Sequence, residues 1–110
     1  MNIEQFAELV QKQQKEAYIG RWREFDENDE NHANIVKNAT TIKVKPGKKY
    51  IKIDVGHSGK LMVVIETGEI FGIKGYGIIN RHPLHTYGTL ETVNEWYWGE
   101  YKPFRIEVTA

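Results

Sequence analysis

The sequence has no cysteine, a single serine, only three prolines and no long apolar run. Without cysteine there is no disulfide framework, no thiolate zinc site and no thiol nucleophile, so a hydrophobic core has to hold the fold. No stretch approaches the roughly 18 apolar residues that a bilayer-spanning helix needs. The opening Met1-Asn2-Ile3-Glu4 lacks the charged-then-apolar pattern of a secretory leader, so an intracellular protein is expected. The lone serine, Ser58, stands beside His57 in a glycine-flanked turn. Neighbours on a turn point apart, which places His57 badly to act as base for a serine nucleophile.

What is present is ordinary for one globular domain. The chain has 110 residues, 40% of them hydrophobic and 27% charged, and at this length it buries about two-thirds of its unfolded surface. The formal net charge is zero, but it is segregated. Residues 1–34 carry a net −4, residues 35–81 a net +6 and residues 82–110 a net −2. Such a dipole bears on partners and steering and says little about fold.

Ile3, Phe6, Leu9 and Val10 recur at helical spacing among Glu, Gln and Lys, which predicts a helix over 2–19, extending to 24 if Gly20 does not stop it. The stretch 24–31 is acidic and Asn-rich, so it reads as a loop able to cap a second helix near 31–38. Beyond residue 38 the period changes to two. Segments 41–45 and 49–55 alternate around Pro46-Gly47, either Tyr50 or Ile51 facing the core, and segments 60–66 and 69–74 flank Thr67-Gly68 as a hairpin with a tight turn. Three glycines within 72–77 point to bulges or close backbone approach. A short helix is expected near 90–98, capped by Thr89 with Thr92 the closer rival, and a last strand over 105–108. The fold class is therefore α+β: an N-terminal helix packed on a twisted antiparallel sheet, or small barrel, of four to five strands. It forms a single domain over 1–110, with a helical element at 1–38 and a β-rich region at 39–110.

Sites of chemistry are weakly marked. His82-Pro83-Leu84-His85 has the spacing of a metal-ligand pair, but it has no carboxylate or thiol partner nearby, and local hydrogen bonding is the simpler role. Gly56-His57-Ser58-Gly59-Lys60 echoes a phosphate loop but is followed by Leu61 where Ser or Thr is needed. Asp26, Asn28 and Glu30 alternate as in a calcium loop, yet the mid-loop glycine is missing and the last ligand position holds Lys37. No cofactor, metal or catalytic residue is assigned, and the chain is not expected to be an enzyme. Two charged surfaces remain. Glu24, Asp26, Glu27, Asp29 and Glu30 form a negative segment able to meet a basic partner. Lys43, Lys45, Lys48, Lys49, Lys52, Lys60 and Lys74 cluster in the strands, with Tyr76, Tyr87, Trp96, Trp98 and Tyr101 downstream. Lysines on one strand face with exposed rings are a way to hold single-stranded nucleic acid, and also a common protection of strand edges.

The glycine and aromatic order of 49–63, of 67–77, and of Tyr87-Gly88-Thr89-Leu90 with Trp96-Tyr97-Trp98-Gly99-Glu100-Tyr101 resembles a family of small bacteriophage-encoded proteins of unknown function. The resemblance covers roughly 49–103. It transfers no catalytic residue, but it implies a stoichiometric binder acting in the host cytoplasm, an anti-defence inhibitor of a restriction or CRISPR effector. Its expected contacts are Glu24, Asp26, Glu27, Asp29 and Glu30 on one side, and Lys48, Lys49, Lys52, Lys74, Tyr76, Trp96 and Trp98 on the other. The alternative is a single-stranded nucleic-acid module, and an exposed strand edge permits a homodimer.

Overall fold

The computed structural model describes residues 1–100 and 102–106. Helix α1 (Ile3–Arg21) begins at a capping box, with Asn2 accepting from the Gln5 amide (2.8 Å) and the Gln5 side chain accepting from the Asn2 amide (3.1 Å). It buries Phe6, Val10 and Ala17 on one stripe. Helix α2 (Glu30–Thr40) starts at Asp29, whose carboxylate accepts from the Asn31 and His32 amides. Both helices match the spans expected from periodicity to within a few residues.

Strands β1 (Ile42–Pro46), β2 (Tyr50–Val55), β3 (Ser58–Val64), β4 (Glu69–Gly75) and β5 (Ile78–Asn80) form one antiparallel path in chain order. Strand β6 (Thr86–Thr89) pairs with the start of β4, on the edge whose later part β5 takes. A separate two-stranded ribbon joins β7 (Trp96–Tyr97) to β8 (Phe104–Arg105). The class is α+β as expected, but over the described residues the main sheet has six strands rather than four or five, and its path ends at β1 and β5, so it is open there and not a closed barrel.

Register assigns the faces. Ile53 pairs with Leu61, and Ile51 pairs with Val63, which pairs with Ile70. This face is the core, and Phe6 and Val10 of α1 cover it together with Tyr87, Val93 and Trp98. Ile51 thus faces the core and Tyr50 the other side. The β2–β3 turn is Gly56-His57, with a left-handed φ of 62° at Gly56 only, the sign pattern of a II′ hairpin. A Cβ at Gly56 would lie 2.9 Å from the Ala39 carbonyl oxygen, so glycine also lets the end of α2 press on the turn. The Thr67-Gly68 hairpin is present, but its loop is longer than the tight turn expected: Gly68 donates to the Val64 carbonyl across a four-residue span. Lys60 is the extra residue of a β-bulge, since Ile53 faces Leu61 while Asp54 already faces Gly59.

The expected helix over 90–98 is absent. Only one 3-10 turn forms (Val93–Glu95), preceded by Thr92, and Thr89 makes a local turn to the Glu91 amide instead of capping a helix. Residues 96–97 are extended. Aromatic packing overrides local propensity here: Trp98 is fully buried, edge-on to Phe6 at 4.8 Å, with its indole N–H donating to the Val93 carbonyl (3.0 Å) and its amide to Gln13 (2.7 Å). The expected last strand begins at Phe104 and reaches Arg105; its later residues 107–108, like Tyr101, lie outside the described residues.

Candidate interaction surface

The sheet face opposite the core carries the lysines. In the β1–β2 register Lys43 sits across from Asp54, and Lys45 across from Lys52, so strand alternation sends all four outward while Ile42, Val44 and Ile53 take the other side. Beneath them lies an apolar cross-strand pair, Met62 and Phe71, both buried.

Tyr76 organises this face. It occupies the β4–β5 connection, which turns at Gly77 with φ of 78°. Its hydroxyl accepts from Lys45 Nζ at 2.8 Å and donates to Asp54 Oδ2 at 3.3 Å, while Lys45 Nζ lies 3.1 Å from the same carboxylate oxygen. The Lys52 and Lys45 ammonium groups stand 5.0 and 5.3 Å from the ring centroid. A Cβ at Gly59 would come within 2.9 Å of the ring, so glycine there lets Tyr76 lie down on the sheet. The ring remains 56% exposed, and Ile78, two residues on, is 58% exposed. Further along the face Arg81 donates to the Tyr50 hydroxyl (3.3 Å) and lays its guanidinium 5.3 Å from the Phe71 ring. The Tyr76 hydroxyl and the Asp54 carboxylate together raise the Lys45 pKa, keeping the ammonium charged.

The predicted contact residues divide. Lys52 and Tyr76 meet directly. Lys48 and Lys49 are exposed in the β1–β2 turn, and Lys74 is exposed where β4 bulges against β5. Trp98 is a core residue and is withdrawn as a contact. Trp96 is half-buried, packed on Tyr87 and Trp98 and crossed by Arg105 at 5.9 Å. In the acidic segment two of five carboxylates serve the fold: Asp29 caps α2 and lies 3.5 Å from His32, and Asp26 accepts from the Asn28 amide. The His32 ring lies tilted against Trp22 at 4.5 Å, tying the start of α2 to the end of α1. Glu24, Glu27 and Glu30 are left exposed. Among the described residues no ion pair joins this segment to the β1–β2 lysines.

Sequence reasoning missed Asp54 and Arg81. Asp54 left a signal: it is the only acid between residues 31 and 65, placed on an outward strand position among lysines. The histidine pair acts locally, His82 Nδ1 accepting from the Leu84 amide, and no cluster of three metal-ligating side chains occurs among the described residues. No helix of the described residues is long and apolar enough to cross a membrane. No protein-family model, curated protein or solved structure matches the chain significantly.

Proposed function

We propose that this chain is a stoichiometric binding protein that docks through the cationic sheet face around Tyr76, onto a partner with an acidic surface. The observation that carries this reading is an exposed aromatic ring tied by its hydroxyl to Lys45 and Asp54 and flanked by Lys52. Interface hot spots combine these elements: a Tyr anchored by its hydroxyl and surrounding charge that steers encounter. The acidic segment contributes less on this account, because Asp26 and Asp29 are spent on turn and cap. The resemblance to small phage proteins supplies the setting, in which the partner is a host defence component, a restriction or CRISPR effector blocked by direct contact in the host cytoplasm.

The runner-up is single-stranded nucleic-acid binding, favoured by the same lysines around a ring. It is disfavoured by occupancy: a base stacking on Tyr76 would have to displace a lysine the ring already holds. The experiment is plasmid survival under an active restriction or CRISPR system, with wild-type protein against the triple variant Lys43→Glu, Lys49→Glu, Lys52→Glu. Protection by wild type that the variant loses supports the reading. Wild-type protein without protective effect removes the anti-defence role. Salt-dependent binding of oligonucleotides by the isolated protein, with a steep log–log slope, replaces it with the runner-up.

A further inference from the structure

A second feature lies outside that surface and does not depend on it. A cavity of about 400 Å³ opens between the β3 bulge, β4 and the segment entering β6, lined by Ser58, Lys60, Gly72, His85, Tyr87 and Lys102 among others. We propose that it is a binding site for a phosphate monoester with a small organic body.

The lining argues for an anion. Its lining includes two lysines, a serine, a histidine and a tyrosine, and no Asp or Glu among the described residues. Two lysines suit a dianion better than a monoanion, and a phosphate monoester is a dianion near neutral pH with oxygens for several donors at once. The space exceeds what a bare oxyanion fills and falls in the range of small-molecule pockets, roughly 300–1,000 Å³. Room therefore remains for the alcohol portion of the ester.

Three details of the chain build this site. Lys60 is turned by the bulge, and its ammonium donates to the Glu100 carbonyl oxygen at 3.2 Å. The Glu100 carboxylate pairs with Arg21 at 3.4 Å and also acts on the Lys60 ammonium. Tyr87 and His85 are linked, hydroxyl to Nδ1, at 3.2 Å. Burial raises the Tyr87 pKa, so the phenol keeps its proton. Gly72 forms the floor: a Cβ there would stand 3.3 Å from the Tyr87 hydroxyl and 3.4 Å from His85 Cβ. Any larger residue would fill the space over this pair.

Burial, and secondarily the Arg21 charge, also hold the Lys60 pKa down. An anion in the cavity would favour the charged ammonium, so where Lys60 is partly deprotonated binding takes up protons.

The test is calorimetric titration of the full-length protein with adenosine 5′-monophosphate, glucose 6-phosphate and phenyl phosphate, with inorganic phosphate and adenosine as separate arms. The expected result is at least one monoester with a dissociation constant below about 1 mM, about tenfold tighter than inorganic phosphate. Lys102→Ala, at an exposed position that leaves the fold intact, should weaken it about tenfold. The His85 ring proton resonance should shift on binding in wild type, and Gly72→Val should abolish the shift. Equal affinity for inorganic phosphate, or binding untouched by Lys102→Ala with a silent His85 resonance, overturns the proposal. So does the absence of binding by all three monoesters.

Discussion

The Lys45 ammonium lies 3.1 Å from Asp54 Oδ2, joining a half-exposed cation to a carboxylate that is 5% exposed. The other oxygen, Oδ1, is buried and accepts no hydrogen bond from the described residues. A buried carboxylate that loses its cation is strongly destabilising, because desolvation is no longer offset. Lys45→Ala should therefore unfold at lower urea than wild type, and adding Asp54→Asn should recover most of the difference. A double-mutant cycle checks this, and additive effects would contradict it.

The same pair sets an alkaline pH dependence. The Tyr76 hydroxyl, then Asp54, raise the Lys45 pKa in the fold. A raised lysine contributes stability that is complete below the unfolded value, about 10.4, and is lost as pH climbs through the folded value. Lys60 has the opposite sign: burial lowers its pKa, so its charged form opposes folding until pH passes the lowered value. Urea midpoints across an alkaline series should show the Lys45→Met deficit shrinking above pH of about 10.4. Any advantage of Lys60→Met should be largest below the lowered value and shrink as pH rises through it.

Phe6 and Trp98 close the two ends of the chain on each other. Both are fully buried and meet edge to face. Phe6→Ala and Trp98→Ala should each cost about 3–5 kcal/mol, a large share of the stability of a domain this size. Because the rings touch, the double variant should lose less than the sum, as measured by chemical denaturation.

Two glycines should respond in opposite directions. Gly20 lies near the exposed end of α1, and a Cβ added there would meet no atom within 4 Å, so Gly20→Ala should gain about 0.5–1 kcal/mol. Gly88 has φ of 74°, and a Cβ there would overlap the Thr92 hydroxyl and stand 3.0 Å from the Trp96 indole nitrogen. Gly88→Ala should lose more than about 1 kcal/mol. Thermal midpoints of the two variants compare them directly.

The regular elements were legible because local signals agreed with the fold. Phe6 and Val10 mark the helix stripe, and Ile51 and Ile53 mark the strand face, at spacings that no tertiary contact contradicts. The C-terminal third was not legible. Trp96-Tyr97-Trp98 follows a helix-like run, and nothing in that run announces that Trp98 must extend to reach Phe6 and Gln13. The site was half legible. Alternation placed Lys43 and Lys45 on one face, but Lys52 joins them only through the β1–β2 register, Tyr76 only through the β4–β5 turn, and Lys60 leaves its strand's alternation because a bulge falls on it. Bulges depend on the partner strand, so one strand's residue pattern does not reveal them.

The most direct measurement is photo-crosslinking in cells carrying an active defence system, with a benzophenone side chain in place of Lys43, exposed on the outward face of β1 across from Asp54, and a control in place of Glu8 on the exposed side of α1. The account predicts one discrete adduct with a defence protein from position 43, lost in the Lys49→Glu, Lys52→Glu background, and none from position 8. No adduct at position 43, or the same adducts from both positions, would contradict docking through the cationic sheet face.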